Sequence, residues 1–331
     1  MRRYITNIVL AAVSTLIAVG GCEAGLRILY PRGALGSGVE LAFLRERSAA
    51  WMSALMVPDE EIGFRPKPGV AGGYDRDGLL RRSLANGSAV RRRILFLGDS
   101  VTARGRIVDA IREQLGDPET EYLNGGVEAF NLAQEVGFFL KFQSTVEVNH
   151  IIHQVHGNDL RATPIVFRDQ TGTLNAYLTN SPRQHVNQWL FQHSYLYRIG
   201  LAAFLSQAAE SDGFAEARDS FARMADFAAR HGIRYDVVLF PILAPEAALS
   251  PTDRRDWQAL ERACRETVSQ CVSLLPVLDR MLARGRSVEE VPGDTWHPND
   301  AFAAAAASSI ISALGLKDDR PDPSSSKTTG Q

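Results

Sequence analysis

A chain of 331 residues, 45% hydrophobic and 22% charged, can bury a substantial core and fits one enlarged domain. Its formal net charge of -2 lacks the basic excess that a phosphate-binding face needs, so nucleic acid is excluded as a partner. With only three cysteines and no cysteine cluster at metal-ligand spacing, the chain is read as needing no metal and no other cofactor.

Arg2 and Arg3 precede a stretch from Tyr4 to Cys22 that carries no charged residue. It is long enough to cross a bilayer and is also built like the n- and h-regions of a signal peptide. Residues 1–23 are therefore read as a signal peptide or membrane anchor, and the chain as exported, facing the periplasm or the cell exterior. Val19-Gly20-Gly21-Cys22 is similar to a lipoprotein cleavage box, so a lipoprotein at Cys22 is a third fate for this segment. Residues 24–90 read as a spacer and N-terminal extension, with turn-rich pieces such as Pro66-Lys67-Pro68-Gly69 and one helix near Leu41 to Met56.

From Arg91 the pattern becomes strand-helix alternation, the signature of a mostly parallel sheet, here of about five strands over residues 91–316. Ile94-Leu95-Phe96-Leu97 is a buried strand that stops in Gly98-Asp99-Ser100, and Ile107, Val108, Ile111 and Leu115 then recur at helical spacing. A second strand near Glu121 to Leu123 ends in Asn124-Gly125-Gly126. Asn131 and Gln134 follow as a helix N-cap and its partner, with the helix running to about Phe142. The third strand, Val148 to Val155, ends in His156-Gly157-Asn158-Asp159. An insertion at about 160–210 holds a hairpin-like piece around Thr171-Gly172-Thr173 and a helix around Val186 to Gln207. An amphipathic helix with Phe214, Phe221 and Phe227 leads to the strand Tyr235 to Pro241. A helix near Pro251 to Thr267 and a last short strand around Val272 to Leu278 come next. An Ala-rich helix, Ala301 to Leu314, closes the domain, and residues 317–331 read as a disordered tail. Cys264 and Cys271 can pair only if one continuous helix does not hold both.

Chemistry-bearing residues collect at the strand ends. Ser100 ends the first strand, Gly126 follows the second, Asn158 follows the third, and His297 precedes the closing helix in Asp294-Thr295-Trp296-His297-Pro298. A serine hydroxyl is a weak nucleophile, so a histidine must take its proton and a carboxylate must hold that histidine in the right tautomer. Ser100, His297 and Asp294 are the candidates for these catalytic roles. The backbone N–H groups of Ser100 and Gly126 and the amide of Asn158 are candidates for an oxyanion hole. Asp99 reads as a loop brace, and Arg104 as a solvated arginine or a contact for an anionic substrate. His150, His153 and His156 have ligand-like spacing, but on a strand the middle one faces away from the others.

Gly98-Asp99-Ser100, Asn124-Gly125-Gly126, Gly157-Asn158-Asp159 and Asp294-xx-His297 stand in the order of the SGNH (GDSL-type) hydrolase blocks, and the chain resembles that family over about residues 91–315. The N-terminal segment and Glu61-Ile62-Gly63-Phe64-Arg65-Pro66 look like its membrane-anchored bacterial members. The resemblance implies a three-layer αβα, flavodoxin-like fold and a serine esterase working through an acyl-serine. The expected substrate is an acyl ester, with O-acyl groups on an envelope or extracellular glycan foremost. An O-acyltransferase acting on a polysaccharide and a non-catalytic envelope-binding module are the alternatives. Three positions depart from the family pattern: Ala103-Arg104 delay the glycine to Gly105, His156 replaces a glycine two before Asn158, and Phe302 replaces a glycine in the last helix.

Overall fold

The structure, a computed structural model, describes residues 2–29, 54–70, 73–83, 90–160, 163, 165–168, 174–177, 187–197, 199–200 and 213–317. The expected tail, the helix near 41–56, and much of the 160–210 insertion, including the Thr171-Gly172-Thr173 turn, lie outside these residues, apart from short pieces. The chain divides into one unit made of 1–65 with 162–211 and another made of 66–161 with 212–331.

In chain order the described elements are α1 (Arg2–Leu29), β1 (Met56–Asp59), β2 (Gly63–Pro66), β3 (Arg81–Ser83), β4 (Arg92–Gly98), α2 (Ser100–Ala103), α3 (Arg106–Leu115), β5 (Thr120–Asn124), α4 (Leu132–Phe138), β6 (His150–His156), β7 (Ile165–Arg168), β8 (Leu174–Tyr177), α5 (Gln188–His193), α6 (Gly213–His231), β9 (Arg234–Phe240), α7 (Pro251–Thr267), β10 (Cys271–Ser273), α8 (Leu275–Ala283) and α9 (Asp300–Ala313). In the first unit, β1 pairs with β2 and β7 with β8, and α1 is a long apolar helix whose side chains are mostly exposed. Its span Tyr4–Leu29 is long and apolar enough to cross a membrane.

The second unit is built on a sheet of order β10-β9-β6-β4-β5-β3, parallel except where β3 pairs antiparallel with β5. The five parallel strands, counted in chain order, lie 2-1-3-4-5, the flavodoxin-like arrangement. Strand alternation divides the core. Ile94, Phe96, Ile152, Val238 and Phe240 pack beneath α3, α8 and α9, while Leu95, Leu97, Ile151, Val155, Val237 and Leu239 pack beneath α4, α6 and α7. Helices therefore cover both faces, giving the three-layer αβα architecture.

Several local expectations change. β3 comes from the stretch read as a spacer and adds a sixth strand. The apolar run after Val272 does not stay extended: β10 ends at Ser273 and α8 starts at Leu275, with Pro276 in the first turn, where a missing N–H costs nothing. Asn131 and Gln134 do form the capping box, but α4 ends at Phe138 and continues as a π-helical turn, Phe139–Gln143. Because α7 stops at Thr267, Cys264 and Cys271 fall on different elements with Cα atoms 6.0 Å apart, and they are disulfide-bonded.

Candidate active site

The sheet order fixes where a site can form. Neighbouring strands β4 and β6 connect in opposite directions across the sheet, to β5 and to β9, so the crevice beyond their carboxyl ends is the topological switch point. Ser100 follows β4 and Asn158 follows β6, on either side of that crevice. The turn into Ser100 is tight. Gly98 has φ 151°, and a Cβ there would come within 2.5 Å of the Gln154 carbonyl oxygen. Asp99 then caps α2: its Oδ1 accepts the Val101 N–H at 2.8 Å, the brace expected for it. Ser100 is the first helical residue, so its own N–H has no intrahelical acceptor.

His297 arrives on a loop held from several sides. Its backbone oxygen accepts the Glu290 N–H at 2.8 Å, the Asn299 N–H donates to Val288 O, and Pro298 bridges Glu289. Asn299 caps α9, accepting the Phe302 N–H at 2.9 Å. Within the loop, Asp294 Oδ1 accepts the N–H groups of Trp296 and His297, each at 3.1 Å. Asp294 Oδ2 accepts from His297 Nδ1 at 2.7 Å, which leaves Nε2 as the acceptor for the Ser100 hydroxyl at 2.9 Å. Burial works to raise the Asp294 carboxyl, but hydrogen bonds from His297 and Trp296 hold it below the usual aspartate value. Ser100, His297 and Asp294 are thus brought together in one continuous hydrogen-bonded chain. Such a chain can withdraw the serine proton as the oxygen attacks a carbonyl.

The three oxyanion candidates differ in readiness. The Asn158 Oδ1 lies 2.7 Å from His156 Nδ1 and accepts from it in the tautomer protonated there, the Asn158 N–H lies 3.2 Å from the same nitrogen, and His156 stacks on Phe240 with ring centres 5.4 Å apart. With its oxygen engaged, the amide directs its N–H groups elsewhere. The Gly126 N–H already donates to Asn124 Oδ1 at 3.0 Å, so it would share or exchange that bond on receiving an oxyanion. Asn124 Nδ2 in turn donates to Thr102 O at 2.7 Å, tying the second strand end to α2. In the sequence Asn124 does not stand out beyond its place in the second block, and His156 stands out for ligand-like spacing and as a departure from the family pattern, not as a partner of Asn158.

Arg104 is not left for an anionic substrate. It donates to Glu290, which also accepts from Arg106 at 2.8 Å, and Arg104 lies 4.0 Å from Asp294. The Arg106 hydrogen bond leads the effects that hold the Glu290 carboxyl below its usual range. These pairs fasten the histidine loop to α2 and the start of α3. Glu128 is different: burial pushes its carboxyl up, against the pull of Arg104 and His297. The adjoining Ala129 has φ 63°, a left-handed conformation unusual for alanine.

The ligand-like histidine spacing on β6 resolves into separate contacts. His150 Nε2 meets Asp236 at 2.7 Å, whereas His153 points to the opposite face and meets Glu135 at 2.8 Å and the Tyr235 hydroxyl at 3.0 Å.

No known family profile matches the sequence, and no curated protein matches it. Among solved structures the chain is similar to an alpha/beta hydrolase enzyme from the metagenome of Lake Arreo, at 13% identity and TM-score 0.45, covering 70% of this chain and 98% of that one. It is also similar to an acetylxylan esterase from Geobacillus stearothermophilus, at 12% identity and TM-score 0.45, covering 71% and 99%. A member of the lipolytic G-D-S-L family from Veillonella parvula aligns at 12% identity and TM-score 0.39, covering 67% and 98%. At such identities and scores the chemistry has to be argued from the side chains themselves.

Proposed function

We propose that the chain is a serine esterase of the SGNH type. The observation that carries this reading is the chain of hydrogen bonds from the Ser100 hydroxyl through His297 to Asp294, at 2.9 and 2.7 Å. Ser100 Oγ attacks the ester carbonyl while its proton passes to His297 Nε2. Asp294 stabilises the imidazolium and keeps its tautomer. The new oxyanion is received by the Ser100 N–H and the Asn158 amide, joined by the Gly126 N–H once it turns from Asn124. Collapse of the intermediate breaks the ester C–O bond, and His297 returns the proton to the departing alcohol. Water, deprotonated by the same histidine, then releases the acid from the acyl-serine.

The substrate we favour is an O-acyl group on an envelope or extracellular glycan, met by an exported chain held at the membrane through its N-terminal helix. The long apolar α1 behind Arg2 and Arg3 supports that location.

The test is hydrolysis of p-nitrophenyl acetate and longer esters by the full-length chain in detergent, compared with Ser100→Ala. The wild type is expected to turn over and the variant to lose activity by about 10⁵–10⁶-fold in kcat. Equal activity in the two proteins would remove Ser100 as the nucleophile. Release of acetate from an O-acetylated glycan, against simple esters, then reports on the substrate.

A further inference from the structure

Glu23 is the first charged residue after the apolar run that begins at Tyr4. At 1.5 Å per residue the helical run from Tyr4 to Cys22 measures about 28 Å, close to the thickness of a bilayer's hydrocarbon core. A membrane-spanning α1 therefore carries Glu23 at the level of the lipid headgroups. Its carboxylate there is taken up by protein. Oε1 accepts the Tyr195 N–H at 2.9 Å, and Oε2 accepts the Leu196 N–H at 3.0 Å and the Ser194 hydroxyl at 3.1 Å. These are the donors that open the helical turn after α5, where a negative charge is favoured.

Arg27, one turn further along α1, closes the other side. It donates to Glu23 at 2.9 Å and to the His193 carbonyl, and its guanidinium lies 5.1 Å from the centre of the Tyr195 ring. Asn187 caps α5 through the Leu190 N–H at 3.0 Å, and its own N–H donates to the Tyr197 hydroxyl at 2.9 Å. Residues 187–197 are thus fixed to α1 at the level of Glu23. On that segment Trp189 is 66% exposed, stacked on His193, and the neighbouring Ile199 is 37% exposed. A large exposed indole beside the end of an apolar helix suits the membrane–water boundary, where an apolar ring with one N–H donor is most stable.

We infer that residues 187–197, with the neighbouring Ile199, form an interfacial membrane contact, pinned by Glu23 to the C-terminal end of α1, with Trp189 and Ile199 entering the boundary between headgroups and acyl chains. The insertion then works as a second attachment to the lipid surface. A single helix leaves the chain free to swivel about its axis, whereas two contacts fix the rotation of this unit.

The experiment uses the full-length chain in phosphatidylethanolamine–phosphatidylglycerol vesicles, with some lipids brominated near the carbonyl end of the acyl chain. Tryptophan fluorescence is compared for wild type and Trp189→Phe, each with and without Glu23→Gln, after circular dichroism shows equal helix content. The wild type should be quenched by bromolipid, and Trp189→Phe should lose a distinct, blue-shifted share of that quenching. Glu23→Gln should cut the Trp189 share by about half or more, since the charge-assisted bonds that seat the segment are weakened. A Trp189 share that is insensitive to bromolipid and readily quenched by aqueous iodide would overturn the membrane contact. A share left unchanged by Glu23→Gln would overturn the pinning.

Discussion

Asp294 sits three residues before His297 and supplies it with both an anion and a fixed direction, and these two services can be separated. Asp294→Asn keeps the shape, but its amide can present a donor where the imidazole needs an acceptor, so the wrong tautomer is favoured. We expect kcat for ester hydrolysis to fall by about 10⁴ with little change in KM. A rise in KM alone, with kcat unchanged, would show that the carboxylate serves binding instead. At the proposed oxyanion hole, Asn158→Ala removes the proposed donor and should cost about 10²–10³ in kcat. His156→Phe preserves the stack on Phe240 and removes the ring nitrogen that faces both the Asn158 side-chain oxygen and the Asn158 N–H. Its cost should be smaller than that of Asn158→Ala. An equal loss in both variants would mean that His156 does more than orient the amide.

At the scale of elements, the strand ends are locked against one another by close backbone approach. A Cβ on Gly126 would lie 2.5 Å from the Ala103 nitrogen and 2.7 Å from the Thr102 Cβ. Gly126→Ala must therefore push the second strand end away from α2, the helix that begins with Ser100. We expect a stability loss of about 1–3 kcal/mol by urea unfolding, together with a drop in kcat larger than that instability explains. An alanine variant with wild-type stability would show that the loop yields freely. Much of this arrangement was legible in the sequence, because long buried strands, helix periodicity and a capping box are local signals. The Asn131–Gln134 box and the strand ending at Gly98 are examples. What stayed hidden was non-local or ambiguous. A three-residue strand such as β3 has no periodicity to read, and the run Val272-Ser273-Leu274-Leu275-Pro276 suits a strand or a helix equally. The four site blocks could be named in order, but the bond already held by the Gly126 N–H depends on how the Asn124 side chain folds back.

For the whole molecule, the buried pair of Glu135 and His153 sets a pH window for stability. Burial pushes the Glu135 carboxyl well up and brings the His153 imidazole down to about 3, so in the fold the two share one proton as a neutral acid and a neutral base. In the unfolded chain ordinary values apply, near 4.3 for Glu and 6.5 for His. Between them the unfolded chain also holds one proton, on the histidine, and stability is level. Above about pH 6.5 the unfolded chain releases it while the fold must keep it, and below about pH 4.3 the unfolded chain takes up a second. Each limb costs about 1.4 kcal/mol per pH unit near its edge. Urea unfolding against pH should show a plateau with two falling sides, both flattened in the double variant Glu135→Gln, His153→Gln. Sides that persist in that variant would assign them to other groups.

Among the described residues, the sheet that carries all this ends on both sides in a strand of three residues: β3 at one edge and β10 at the other. A long bare edge is a template on which a second chain can pair, and proteins held side by side on a lipid surface meet one another often. Edges this short offer a neighbour a ladder too brief to hold, and the Cys264–Cys271 bond fastens the β10 edge to a covering helix. The same economy that makes these strands hard to recognise leaves little exposed ladder at either edge of the described sheet.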